Sequence, residues 1–444
     1  MIATSFAILL MVAAGLPLAA LIDPEARGSR RVGESILLGL AASGFLLLVI
    51  AFAGISWSRL WLIAGLAALV AVCTLVRRPA PWRLLPISVP TAVATGVVVI
   101  LLGGYALVTT LAPIPENDFV SNWGMKARAF WERGGIDWAV LATSLHHDAH
   151  PEYPVLLPLM FDAVTILRGA WDDRSLGLLY VAFAAGLLLV IHGIAREGSG
   201  SDTFAAILVV ALVPFAASPW VGLAEGPFVA YSTTALLLLR HALERDQRHL
   251  TMVAAIFLGV STSIKEEGWP FLVAVAIGLI IAERAAWIVR LWPAVLIPLP
   301  WILVRSRHQI PELGRASVDT VLDRVANMHE IFATIARAPL GRPVYWAGII
   351  LAVILLWRMV SRERFVVSVL LLQAGAYIAA YVVSPFEVER IKWSTERLLS
   401  HLTPALTVVL LLHLLTIAMG NGARAPIPAQ DLDDEGARRR ASER

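Results

Sequence analysis

Four short stretches of the chain hold the residues best suited to chemistry. The first is ENDFVSNWGMKARAFW, Glu116 to Trp131. Glu116 and Asp118 follow directly on an apolar run that ends near Pro113. A carboxylate at such a boundary is costly unless it is used or paired. If ionised, it is a candidate base for a hydroxyl proton. Asp118, Asn122 and Lys126 recur at i, i+4 and i+8, one polar stripe on a helix. Phe119, Trp123 and Phe130 mark the neighbouring apolar stripe. The expected element is a helix lying in a membrane interface, with Trp at headgroup depth. An amphipathic connector with no further role is the plainer alternative.

The second stretch is HHDAHPEYPVLLPLM, His146 to Met160. His146, His147 and Asp148, with His150 and Glu152, are N and O donors of the kind a divalent metal takes. Their spacing matches no zinc signature, and Pro151 and Pro154 bar a continuous helix. His150, Glu152 and Tyr153 are alternatively the lining of a substrate cleft. No cofactor is fixed by this pattern, and a divalent metal stays open. The third stretch is STSIKEEGWPF, where Lys265, Glu266 and Glu267 precede Gly268 and Pro270. It reads as a tight polar turn, or as a mixed-charge turn that helps hold an anionic headgroup. The fourth is FEVERIKWSTERLLSHLTP, in which Arg390, Arg397 and His401 recur at spacings of seven and four. Glu387, Glu389 and Glu396 are possible partners for them. Otherwise an arginine at this place suits a phosphate, which its planar fork grips at two points.

The elements that must position these residues are apolar helices. The chain has 444 residues, 58% hydrophobic and 16% charged, with a mean hydropathy of +0.75. A soluble chain carries roughly 25% charged residues. The apolar residues come in runs long enough to span a bilayer core as helix and do not alternate as barrel strands do. The expected fold is all-α, a polytopic transmembrane bundle. About thirteen spans are expected, at 2–22, 33–54, 60–76, 87–112, 175–195, 203–218, 224–241, 250–264, 269–283, 286–304, 344–360, 365–383 and 401–419. The first begins MIATSFAILL, without a basic n-region, so it is read as a span rather than a signal peptide.

Arginines fall in the loop after every odd-numbered span: Arg27, Arg30 and Arg31; Arg77, Arg78 and Arg83; Arg196; Arg240, Arg245 and Arg248; Arg284; Arg358, Arg362 and Arg364. The tail adds Arg424 and Arg438 to Arg440, whereas GISWS and SPWVGLAEG hold almost no positive charge. By the positive-inside rule the N-terminus lies outside and the C-terminus in the cytoplasm. Segments 113–174, 305–343 and 384–400 are then outward loops. The last of these runs its basic residues against the trend, and 305–343, with Arg305 among six arginines, reads as a helical lid. Three regions are expected: N-terminal helices at 1–84, a membrane domain at 85–419, which the resemblance given below makes the catalytic one, and a disordered tail at 420–444. Cys73 sits alone in an apolar run and reads as packing. No GxxxxGK[ST] loop and no GxSxG elbow occurs. Broken spans bearing a buried charge pair, frequent in transporters, are not expected.

Taken in order, the motifs resemble those of polytopic GT-C glycosyltransferases. NWGMKARAFW after an acid resembles their first outward loop. HPEYPVLLPL resembles the His-Pro-acid-Tyr-Pro run of bacterial members, KEEG their acid-rich lysine turn, and ERLLSHLTP their late Arg-Leu-Leu-x-His-x-x-Pro segment. The resemblance covers residues 85–415. It implies transfer of a sugar from a polyprenyl-phosphate carrier to a glycan, lipid or protein acceptor outside the cytoplasm, at a bacterial inner membrane. It implies a GT-C-like bundle whose outward loops carry interfacial helices. Membrane lipids are the other expected partners, and nucleic acid is not one. An acid of the first loop would be the base, Asp118 or Glu116, with Lys126 facing the same cleft. The chain departs from the pattern in two ways. It places three further spans ahead of the one leading into the first loop, and END stands where several members have adjacent acids. A flippase or transporter of lipid-linked sugar, and a polymerase or ligase using a diphosphate-linked donor, are the alternatives.

Overall fold

A computed structural model describes residues 1–77, 88–142, 150–310, 317–337, 363–384 and 390–418. Among these the chain is helical throughout, with no strand. Long helices come first: α1 (Ile2–Ile22), α2 (Gly28–Phe52), α3 (Arg59–Val76) and α4 (Val89–Leu111). A π turn, Phe119–Trp123, leads into α5 (Gly124–Arg133), and short α6 (Trp138–Ala142) and α7 (Leu156–Arg168) complete the first loop. Then follow α8 (Asp173–Ser199), α9 (Asp202–Ala216), α10 (Glu225–Arg245), α11 (Arg248–Ile264) and α12 (Gly268–Ile281). A 3-10 turn at Ala285–Leu291 precedes α13 (Trp292–Leu296) and α14 (Leu299–Arg307). The remaining helices are α15 (Val318–Ala326), α16 (Met328–Arg337), α17 (Arg364–Val383), α18 (Arg390–Ser400) and α19 (Thr403–Ala418).

Among the described residues six helices, α1 to α4, α8 and α17, are long and apolar enough to cross a membrane, and up to eight spans result if each of two bent helix pairs counts as one. This is the architecture of a multi-pass membrane protein. The reading of about thirteen spans asks more than these lengths give. Helices stand at 203–218, 250–264 and 269–283 as expected, but α9, α11 and α12 have 15, 17 and 14 residues. At 1.5 Å per residue they fall short of a bilayer core of about 30 Å. The expected span at 344–360 lies outside the described residues.

Small residues set the packing. A Cβ at Gly15 would lie 1.9 Å from the Ser35 carbonyl oxygen, and one at Gly39 2.2 Å from that of Met11. Backbones of α1 and α2 therefore meet directly, as small residues permit between membrane helices. α2 also packs on α8, and α10 on α11.

The loops sort into two ends. At one, Arg30 meets Asp23, Glu34 and Glu197, His241 reaches Glu197, and Gln247 and His249 reach Glu25. Arg240 joins Glu363, and Arg364 joins Glu283. The described arginines Arg30, Arg240 and Arg364, each from a loop after an odd span, thus lie at one end. The described residues of the four motif stretches lie at the other end.

Two bends correct the expectation of unbroken spans. The pair Ala285–Leu296 and Leu299–Arg307 is bent by 48°, and the pair Ser394–Ser400 and Thr403–Leu414 by 43°. Pro298 and Pro300 lie at the first break, where proline removes a backbone donor. The second break falls at His401 and Leu402, beside a buried cluster of charge.

Candidate functional site

Pro113 and Pro115 end α4, and the chain turns inward at Asp118. The Phe119 ring fixes that turn. It would collide with a Cβ on Gly124, at 2.6 Å, and crowd one on Gly222, at 3.1 Å, and it packs edge-on against Phe161. Gly222, at φ 94°, adopts a conformation that disfavours other residues. Its loop leads directly into Glu225, the first residue of α10.

Asp118 Oδ2 accepts from Arg397 Nη2 at 2.7 Å. The same Nη2, with Nε, also reaches Glu225, whose Oε1 accepts from Nε at 2.9 Å and Nη2 at 2.7 Å. The same oxygen accepts from Lys265 Nζ at 3.0 Å, and Lys265 also pairs with Glu267 at 2.9 Å. Glu225 is buried, and its Oε2 has no partner among the described residues. His401 lies within electrostatic reach of Lys265, Glu225 and Arg397. Its Nδ1 meets the Tyr377 hydroxyl at 2.8 Å, its ring rests on Phe228, and its Nε2 is buried without a partner among the described residues.

A second cluster adjoins the first. His150 takes a left-handed φ of 45°, and its carbonyl accepts from Lys126 Nζ and from the Tyr153 N–H. The rings of Trp123, Tyr153 and His150 stack in series, with Lys126 Nζ 5.6 Å from the Trp123 ring centre. His150 Nδ1 lies 3.2 Å from Glu152 Oε1. The Glu152 carbonyl accepts from Trp301 Nε1 and Arg305 Nη1, and Arg305 also binds Glu266 at 3.1 Å. Burial pulls the Lys126 ammonium down to about 7, although Glu152 and Glu266 favour its charge. Burial raises Glu266, against the pull of Arg305.

Asp118, Arg397, Lys265 and Glu267 therefore meet, and His150, Glu152, Tyr153 and Glu266 line the adjoining cluster. Glu116 stands apart: it is half-buried, its carbonyl caps the Phe119 and Val120 N–H groups, and its carboxylate has no ion pair among the described residues. Asn122 and Lys126 correct the interfacial reading, since both are buried, as are Phe119, Trp123 and Phe130. The HPEYP turn and α7 cover the face expected to meet lipid or a cleft, and Lys126 struts that turn. Arg390 begins α18, and its side chain is not among those described. His146, His147 and Asp148 lie outside the described residues. Among the described residues no group of three or more His, Cys, Asp or Glu is placed to hold a metal.

Sequence reasoning missed Glu225, Tyr377 and the particular part of Arg305. Glu225 had a signal: an acid heading an apolar helix is a functional candidate in itself. Arg305 was one arginine among six, and Tyr377, one of two tyrosines in an apolar run, gave no signal. No protein family, no curated protein and no solved structure matches the chain.

Proposed function

We propose that the protein is an integral membrane glycosyltransferase of GT-C type. It would pass a sugar from a polyprenyl-phosphate carrier to an acceptor hydroxyl on the outer side of a bacterial inner membrane. One observation supports this above others. The first loop, the HPEYP turn, the KEEG turn and the ERLLSH segment come together, although Asp118 and Arg397 are 279 residues apart. An inverting transfer needs a carboxylate to accept the acceptor proton and cations facing the departing phosphate. Asp118 has an oxygen not taken by Arg397 for the first task, and Arg397 and Lys265 serve the second. A lipid phosphate leaves without a general acid. Spans at α10, at the shorter α9, α11 and α12, and at 344–360, bringing the total to about thirteen, belong to the same proposal.

The test is transfer by the purified protein from a panel of polyprenyl-phosphate sugars. Asp118→Asn should slow it by at least about a hundredfold, the ordinary loss of a general base. Glu116→Gln should cost far less. If both variants transfer at the wild-type rate, the first loop does not supply the base; wild-type protein that transfers no sugar from any donor overturns the glycosyltransferase reading. The bend at His401 and Leu402, beside buried charge, favours a second reading, a flippase of lipid-linked sugar. That protein would move the labelled lipid across a vesicle bilayer without releasing a glycosylated acceptor.

A further inference from the structure

We infer that Asp118 and Glu267 are exchangeable counter-ions of Arg397 and Lys265, displaced by an incoming phosphate while Glu225 keeps both cations in place. The inference rests on the glycosyltransferase reading only for the source of that phosphate.

The three carboxylates are not equivalent. The Glu225 side chain is 1% exposed, that of Asp118 38% and that of Glu267 24%. Glu225 Oε1 is shared by both cations, and Asp118 and Glu267 each hold one of them from the more exposed side. A carboxylate that water reaches loses little when its ion pair opens, whereas a buried one stripped of its partners is severely unfavourable. An arriving anion therefore replaces Asp118 and Glu267 and leaves Glu225 bound.

Charge points the same way. Among the described residues three carboxylates face two cations, so the described resting cluster is net negative and does not attract an anion. With Asp118 and Glu267 swung away, Glu225 alone faces Arg397 and Lys265, and the remainder is net positive. Arg397 Nη2, now bound to Asp118, and Lys265 Nζ then turn to the same phosphate oxygens, the arrangement a guanidinium and an ammonium favour. The exchange also sets an order. Asp118 Oδ2 is engaged until the phosphate arrives, so the carboxylate is wholly free for an acceptor proton only after the carrier is in place.

The experiment measures binding of farnesyl phosphate and of inorganic phosphate to the full-length protein in detergent, by calorimetry. Removing a competing charge-assisted bond should tighten binding, so Asp118→Asn and Glu267→Gln should each bind farnesyl phosphate about tenfold more tightly than wild type. Glu225→Gln should bind it at least about tenfold more weakly. Should that buried variant fail to fold, the two more exposed variants decide the matter. Wild-type binding with unchanged or weaker binding by Asp118→Asn and Glu267→Gln overturns the exchange and leaves the carrier reading standing. Equal affinity for the two probes keeps the exchange but removes the lipid as the source. Wild-type protein that binds neither probe has no phosphate site, and both the exchange and the carrier reading fall.

Discussion

Arg30 and Arg397 lie at opposite ends of the bundle, and each sits among more carboxylates than it can neutralise. Arg30 is 2% exposed and bonds Asp23 at 3.2 Å and Glu197 at 2.8 Å, with Glu34 at 3.6 Å. Its partners come from the α1–α2 loop, from α2 and from α8, and His241 of α10 joins through Glu197. A Cβ on Gly193 would lie 2.4 Å from Arg30 Cβ, so α8 closes over the backbone as well. Arg397 lies beside a helix break, and one of its two carboxylates is substantially exposed. The chemistry of the two groups is alike; access of water differs. A closed network ties helices together. An open one has a partner that can leave, which is what binding requires.

The comparison is most sharply tested at Arg30. Arg30→Ala leaves Asp23, Glu34 and Glu197 without their shared cation. Breaking a buried ion network by removing one member typically costs about 3–5 kcal/mol. The variant should unfold at much lower temperature in detergent than wild type. A loss below about 1 kcal/mol would show that this end is not the structural one.

Arg397→Ala should cost less stability, about 1–3 kcal/mol, because Lys265 stays on the same Glu225 oxygen. Its functional loss should be far larger. Arg397→Lys separates the two contributions: charge is kept, the planar fork is lost, and donor binding should weaken while thermal stability stays near wild type. If Arg397→Ala and Arg30→Ala destabilise equally, and Arg397→Lys binds donor normally, both ends are staples and the contrast disappears.

The same contrast explains what the sequence made legible. Apolar runs announce helices, and those expected at 203–218 and 250–264 are found at Asp202–Ala216 and Arg248–Ile264. Asp118, Lys265 and Arg397 stood out because each is a charge at the mouth of such a run. Their pairing was not legible, since Glu225 lies 40 residues from Lys265 and 172 from Arg397. Local spacing carries no record of contacts that only the folded bundle makes. Amphipathic periodicity did not separate two faces of the first loop: a π turn at Phe119–Trp123 breaks the i, i+4 register, residues of both stripes are buried, and Lys126 Nζ lies over the Trp123 ring. Nor could it tell that the HPEYP turn covers this segment, so Lys126 was placed in a cleft. Both bends had a local cause in view, Pro298 and Pro300 at the first and Pro404 just past the second.

Lys126 provides the smallest and most specific test, because it lies at the open end yet is itself closed in. Its ammonium is buried, and burial brings it down to about 7 from an ordinary lysine value near 10.4 in the unfolded chain. Between those two values the unfolded chain binds more protons than the folded one. Stability must therefore rise with pH across that window, by at most about 1.4 kcal/mol per pH unit for one group. Below about 7 both states carry the charge, and this contribution to the slope vanishes. Lys126→Met keeps the volume against Trp123 and Tyr153 and removes the titration. Melting temperatures of wild type and variant, taken from pH 7.5 to 9.5, should diverge, with wild type gaining on the variant as pH rises. Parallel curves would mean that Lys126 keeps its charge in the fold, held by Glu152, Glu266 and the His150 carbonyl. In that case the closed part of this end is a third ionic staple, and the division between the ends runs through the site itself, between Lys126 and Arg397.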